Sequence, residues 1–237
     1  MLNIVSTPIG NLDDLSIRQA KTLAASDIIL AEDTRSAQTL LNGIKERFPD
    51  LQITDNRLPP VWSYYKEKEF QKLPEIIKLL KEEKNISLIS EAGTPLVSDP
   101  GYLLVKSCIQ RNLPITVIPG PSAITTALIY SGFNPQEHMF LGFFPKKESQ
   151  ILQLIDKLKQ IKTIFPDMVF VFYESPLRIK ETLRCIDLAC RQAGTSKFNV
   201  EIVICREMTK KFEEIIRGPI DELIKRNYKG EITVVIK

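Results

Sequence analysis

Several chemistries are excluded by what this sequence lacks. It has a single histidine, His138, so a metal site built on imidazoles or a Ser-His-Asp triad would rest on one residue. Its four cysteines, Cys108, Cys185, Cys190 and Cys205, form no C-x-x-C pair, and the expectation is reduced, mostly buried thiols and no metal. No apolar run approaches the ~20 residues that span a bilayer. The opening "MLNIVSTPIG" is too quickly interrupted for a secretory signal, and the expected location is the cytoplasm. The turn after the first apolar run holds one glycine, Gly10, with Pro8 before it, where a dinucleotide fold needs G-x-G-x-x-G. The phosphate-gripping G-x-x-x-x-G-K-[ST] loop is also missing. Charge is nearly balanced at +3, which permits a nucleic-acid partner without arguing for one.

What is present is a soluble chain with a real core, 43% hydrophobic and 26% charged over 237 residues, enough for two ordinary domains. Short apolar runs at 2–6, 27–31, 61–65, 85–90 and 115–118 read as strands. Helical patterns lie between them at 16–25, 36–45, 67–83 and 102–111, with Ser16 a plausible N-cap. Another helix follows at 122–130. Farther on, strands at 139–143, 168–173, 200–205, 213–217 and in the closing "GEITVVIK" alternate less strictly with helices. The class is α/β, with a mostly parallel N-terminal sheet and a mixed C-terminal one. The junction is expected near Pro119, giving domains 1–118 and 119–237.

The polar and Gly/Pro-rich residues gather at strand ends: "STPIGN", "EDTR", "SEAGTPLVSDPG", "PGPSA" and, in the second half, "ESP". Ligands in open α/β sheets bind beyond the carboxyl ends of strands. Loops with little side-chain bulk let a ligand reach main-chain N–H and C=O groups, and prolines pre-order those loops. One such loop is an ordinary turn; five of them suggest a backbone-read pocket.

In chain order, "STPIGNLDDLSIRQ", "ILAEDTRSAQTLL", "LISEAGTPLVSDPGY", "VIPGPSAITTAL", "FLGFFPKK", "FYESPLRIKETL", "CREMTKKFEEIIRG" and "KGEITVVI" resemble the tetrapyrrole methylase superfamily, and within it the small-subunit ribosomal RNA ribose 2′-O-methyltransferases. The resemblance spans nearly the whole chain. It implies two α/β domains with S-adenosylmethionine in the cleft between them, a homodimer, and methylation of a cytidine 2′-hydroxyl in small-subunit ribosomal RNA, free or in the assembled subunit.

By the same resemblance, Pro8 and Gly10 match the first cofactor turn. Gly93, Thr94 and Pro95 stand where other members have Gly-Asp-Pro, with Val97 following at the same spacing. Ser122 and Ala123 match residues lining the cofactor, Phe172 and Tyr173 a second-domain strand end, and Gly230 the turn before the last strand. A pocket of carbonyls and small side chains suits a cationic sulfonium better than a lysine would. Glu32, Asp33, Thr34 and Arg35 match an acid-rich turn. Either they cap the next helix, or a carboxylate orients or deprotonates the ribose hydroxyl while Arg35 holds a phosphate or the acids. Asp99 is a second carboxylate candidate. Lys146, Lys147, Arg178 and Arg206, with Lys210 and Lys211, are candidates for RNA phosphates or solvated surface.

The chain departs from its branch at Tyr64 to Phe70, "YYKEKEF", where relatives often carry a histidine-rich stretch, and in ending after the last strand. Two other readings stay open: a methylase of corrinoids, porphyrins or a modified protein side chain, and a non-catalytic ribosome-assembly module.

Overall fold

A computed structural model of the chain describes residues 1–49, 51, 58–192 and 200–237. These residues divide into two compact units, Met1–Ser122 and Ala123–Lys237.

The first unit carries a five-stranded sheet of β1 (Leu2–Val5), β2 (Ile28–Ala31), β3 (Val61–Ser63), β4 (Ile86–Ile89) and β5 (Ile115–Ile118), in the order β3-β2-β4-β1-β5. Every pairing is parallel. The side chains explain this arrangement. β1, β2 and β4 are buried along their whole length, as in a parallel sheet covered on both faces. Alternate residues then sort to opposite sides. Leu2, Ile4, Leu30, Ile86 and Leu88 pack with Ile76, Ile77 and Leu80 of α3 (Lys66–Lys81) and Leu104 and Cys108 of α4 (Tyr102–Gln110). Val5, Ile29, Ala31 and Ile89 pack with Ala20 and Leu23 of α1 (Ile17–Ala24) and Ala37, Leu41 and Ile44 of α2 (Thr34–Arg47). Each fully buried Leu or Ile contributes about 1.5–3 kcal/mol relative to an exposed one.

Helix α1 starts at a capping box. Ser16 Oγ accepts from the Gln19 N–H at 3.2 Å, and Gln19 Oε1 accepts from the Ser16 N–H at 2.6 Å. The other end of that amide donates from Nε2 to the carbonyl of Ser6, 2.7 Å, and so ties the helix to the end of β1. Helix α2 starts at Thr34, earlier than the expected residue 36, because the Asp33 carboxylate accepts from the Arg35 N–H and caps it.

The second unit opens with α5 (Ala123–Ser131) and carries a mixed sheet of β6 (His138–Phe143), β7 (Val169–Glu174), β8 (Ile202–Arg206), β9 (Glu214–Arg217) and β10 (Ile232–Ile236), in the order β6-β7-β10-β8-β9. Only β6 and β7 run parallel. Helices α6 (Glu148–Ile164), α7 (Ile179–Gln192) and α8 (Ile220–Lys225) cover one face through Ile151, Ile155, Leu183, Ile186 and Leu223. Helix α5 lies against β7, β8 and β10. The "PGPS" turn stays with the first unit, past the junction expected at Pro119. A Cβ on Gly120 would lie 2.1 Å from Gln19 Nε2 and 2.9 Å from Ser6 Cβ, so that turn is packed on β1 and α1.

Candidate active site

Because all five strands of the first unit run the same way, their carboxyl ends and the loops that follow lie along one edge of the sheet. Beyond β1, β2 and β4 these loops enclose a cavity of about 280 Å³. Pro8 and Gly10 line it from the first loop, Glu32 and Asp33 from the second, and Ser90 and Glu91 from the third, with Thr7, Ser36 and Thr39 adding hydroxyl groups. Four of the residues singled out in the sequence therefore share one pocket. Among the described residues its lining holds three carboxylates and no lysine or arginine.

The loop after β4 is fixed to β1. Thr7 and Gly93 exchange backbone hydrogen bonds of 2.8 and 3.1 Å, forming a small antiparallel bridge outside the parallel sheet. The hydroxyls of Ser6 and Thr94 lie 3.1 Å apart, and Ser90 Oγ donates to the Gly93 carbonyl at 2.9 Å. Within a few residues the chain takes four left-handed conformations: Gly93 (φ 84°), Leu96 (φ 71°), Ser98 (φ 73°) and Gly101 (φ 127°). For Leu96 and Ser98 such angles cost about 1–3 kcal/mol each, a strain that clusters at functional sites. Pro95 is buried within the loop while Val97 and Ser98 are exposed.

Asp99 lies within this stretch, half-buried. Burial first, then the charges of Glu32 and Glu91, push its carboxyl up to about 6. The structure thus brings Glu32 and Asp99, separate motifs in the sequence, within electrostatic reach. Asp33 differs: the Arg35 N–H, above all, holds its carboxyl below the usual range. The Arg35 guanidinium lies 3.5 Å from Asp33, and its side chain is 91% exposed. Capping is thus what Asp33 does in this structure, and Glu32, exposed at the cavity, is the freer of the two acids.

In the second unit, register places Glu174, Ile232 and Arg206 side by side across β7, β10 and β8. Gly230 lies just before β10 at φ 79°, where a Cβ would collide with the Glu207 carboxyl at 2.4 Å. Glu207 accepts from the Glu231 N–H at 2.8 Å and pairs with Lys210 at 3.2 Å, and these contacts hold its carboxyl below the usual range. Phe172 is wholly buried, its ring 4.1 Å from that of Phe144 in the core; Tyr173 stands half-buried between the edges of Phe140 and Phe143. Of the basic residues, Lys146 and Lys147 are exposed. Arg178 pairs at 2.5 Å with the buried Glu174 and donates to the carbonyls of Phe144 and Pro145. Arg206 pairs with Glu214 at 3.2 Å and donates to the Lys229 carbonyl. Lys210 is engaged with Glu207 and Glu231, and Lys211 is exposed. Ser122 closes the first unit and Ala123 opens the second.

Sequence reading missed Thr7, Ser90 and Glu91 in the cavity and Gln19 behind it. The S-x-x-Q spacing of Ser16 and Gln19 was a usable signal for a capping box. Nothing in the sequence announced that the far side of that amide would reach Ser6.

Comparison with known proteins bears on this arrangement. The family model described as Tetrapyrrole (Corrin/Porphyrin) Methylases matches residues 1–224. A Thermotoga maritima protein named ribosomal RNA small subunit methyltransferase I is 40% identical, over 99% of this chain and 97% of its own. One of the same name from Hydrogenobaculum sp. is 37% identical, over 99% and 94%. Among solved structures, the methyltransferase CobJ superposes with a TM-score of 0.68 at 14% identity, over 99% of this chain and 92% of that one. Diphthine synthase gives 0.68 at 14%, over 100% and 90%, and at such identity both likenesses speak for the fold alone.

Proposed function

The chain belongs to the tetrapyrrole methylase family, and on that premise we propose that it transfers a methyl group from S-adenosylmethionine to small-subunit ribosomal RNA, at the ribose 2′-hydroxyl of a cytidine. The observation that carries the reading is the carboxylate-lined cavity at the ends of β1, β2 and β4, where the loop after β4 holds left-handed, strained residues. The full-length relatives named ribosomal RNA small subunit methyltransferase I supply the substrate class.

The residues present fit a sulfonium donor. Gly93 has no Cβ, Thr94 and Ser6 offer hydroxyls, and the charges gathered at the cavity are negative, which favours a cation over an anion. Pro8, Gly10, Gly93, Thr94, Pro95, Val97 and Ser122 of the first unit would hold it. When bound, S-adenosylmethionine supplies an electrophilic methyl on a cationic sulfur that departs as a neutral thioether.

The protein's part is to place a hydroxyl and remove its proton. Glu32, exposed at the cavity, accepts a hydrogen bond from the ribose and orients it. Asp99, ionised above about pH 6, takes the hydroxyl proton as the new C–O bond forms and releases it to solvent. Orientation supplies most of the rate, since well-placed reactants reach effective molarities of about 10⁵–10⁸ M. Exposed Lys146 and Lys147 meet RNA phosphates, while Arg178 and Arg206, already committed to Glu174 and Glu214, shape the strand ends. The same resemblance extends to a homodimer working in the cytoplasm.

The test is incorporation of label from methyl-labelled S-adenosylmethionine into purified small subunits, with the modified nucleotide mapped by resistance to alkaline cleavage. Label on a cytidine ribose supports the reading. Label on a base overturns the ribose assignment. Donor binding without incorporation favours an assembly module.

A further inference from the structure

The "YYKEKEF" stretch has a use in this fold. Tyr64, just after β3, and Glu69, in the first turn of α3, are both buried, Glu69 to 6% exposure. One oxygen of Glu69, Oε1, accepts two backbone N–H groups: that of Gly101 at 3.1 Å and that of Leu103 at 2.9 Å. These are the last residue of the "AGTPLVSDPG" loop and the first turn of α4. The Tyr64 hydroxyl sits close enough that burial and then the Glu69 charge push its ionisation up.

Gly101 has no freedom at this point. Its φ is 127°, and a Cβ there would meet Leu88 Cδ2 at 2.5 Å and Leu96 Cδ1 at 3.0 Å. The loop is therefore pinned at both ends, at Gly93 by the bridge to Thr7 and at Gly101 by Glu69. Between the pins lie the left-handed Leu96 and Ser98 and the half-buried Asp99. A strained segment keeps its shape only while its surroundings over-determine it. Without Glu69 the far pin is lost, the buried Gly101 N–H and the part-buried Leu103 N–H lose their acceptor, and Leu96 and Ser98 are free to relax to ordinary angles.

We propose that Glu69 is a positioning residue: it touches neither donor nor RNA, and acts by holding residues 94–99 in their strained form. This rests on the reading that the loop receives S-adenosylmethionine. The acceptor atom matters and the charge does not, because both N–H groups converge on one oxygen that a glutamine also has.

The experiment compares Glu69→Gln, Glu69→Asp and Glu69→Ala with the unaltered protein. Donor affinity is read by calorimetry with S-adenosylhomocysteine, kcat and KM with small subunits, and amide hydrogen exchange at residues 94–103. Glu69→Gln is expected to stay within about twofold in affinity and kcat, and to keep protection at Gly101 and Leu103. Glu69→Asp, one methylene shorter, and Glu69→Ala are expected to bind the donor at least about tenfold more weakly, lower kcat, leave KM for subunits unchanged, and exchange residues 94–103 faster. If Glu69→Ala does not fold, Glu69→Asp against Glu69→Gln carries the decision. Asp like wild type with Gln impaired makes the charge decisive and overturns the proposal, as do unchanged affinity and kcat in a folded Glu69→Ala. A wild-type protein that ignores S-adenosylhomocysteine overturns the donor reading instead, and the exchange data then judge the pin alone.

Discussion

Thr7 and Gly93 are joined by two backbone hydrogen bonds, though one follows the first strand and the other the fourth. The bridge holds two loops of the candidate site in fixed relation. Its weak point is the left-handed angle of Gly93, φ 84°, since the nearest atoms to a Cβ, Ile9 Cγ2 at 3.4 Å and the Pro121 carbonyl at 3.6 Å, leave room for one. Gly93→Ala is therefore expected to fold but to lose about 1–2 kcal/mol, all of it from backbone conformation. Denaturant titration checks the stability, and calorimetry with S-adenosylhomocysteine should show weakened binding.

Asp99 gives the site a pH signature. Its ionisation is raised to about 6 in the fold, against roughly 4 for an unfolded aspartate. The folded protein thus holds this proton more tightly than the unfolded chain does. The associated stability is intact below about pH 4 and is lost as pH rises through 6. Asp99→Asn should be more stable than wild type above pH 6, with the difference vanishing toward pH 4, as thermal melts across that range would show. In activity the sign reverses: kcat/KM of wild type should climb through an inflexion near 6, and Asp99→Asn should lose it. Glu32→Gln removes one of the charges that raise Asp99, so the inflexion should move to lower pH in that variant.

The basic residues of the second unit should separate by experiment. Removing Arg178 strips the buried Glu174 carboxylate of its ion pair, although the Thr182 hydroxyl and Ser175 N–H remain. Arg178→Ala is expected to destabilise the protein by about 2–3 kcal/mol. Lys146→Ala and Lys147→Ala, both at exposed positions, should leave stability within about 0.5 kcal/mol. Each should instead weaken RNA binding and lower the slope of affinity against salt by about one. Melting curves with salt-dependent binding isotherms distinguish the two behaviours.

Gly120→Ala tests the packing behind the site. The new methyl would lie 2.1 Å from Gln19 Nε2, so the buried amide must abandon the Ser6 carbonyl. A loss of at least about 2 kcal/mol is expected. Gln19→Ala, which clears the space, should partly relieve Gly120→Ala in a double-mutant cycle read by denaturant titration.

The order of strands and helices was legible in the sequence because burial in a parallel sheet writes itself as short apolar runs between amphipathic helices. Helix α3 shows how firmly: Pro74 lies inside it, yet Ile76, Ile77 and Leu80 keep the helical spacing, and the helix continues. Strand ends were legible for the same reason, and with them the loops lining the cavity. Individual side-chain duties were not. Asp33 and Glu32 are neighbours of one chemical type; only the geometry of α2 makes one a cap and leaves the other at the cavity. Arg178 reads as a spare cation until its i−4 partner, Glu174, proves to be buried. Glu69 reads as one more charge on a helix surface, because the N–H groups it serves come from a loop more than thirty positions away.

An interior strand of the first sheet, β1, has a bearing on biosynthesis. Leu2 pairs with Ile86 on one side and Ile115 on the other, so β1 leaves the ribosome long before either neighbour exists. Until then an apolar segment has no sheet to join, and closure of the half holding the candidate active site waits on translation past residue 118. The second unit has a pairing without that wait, since β8 and β9 meet across a short loop.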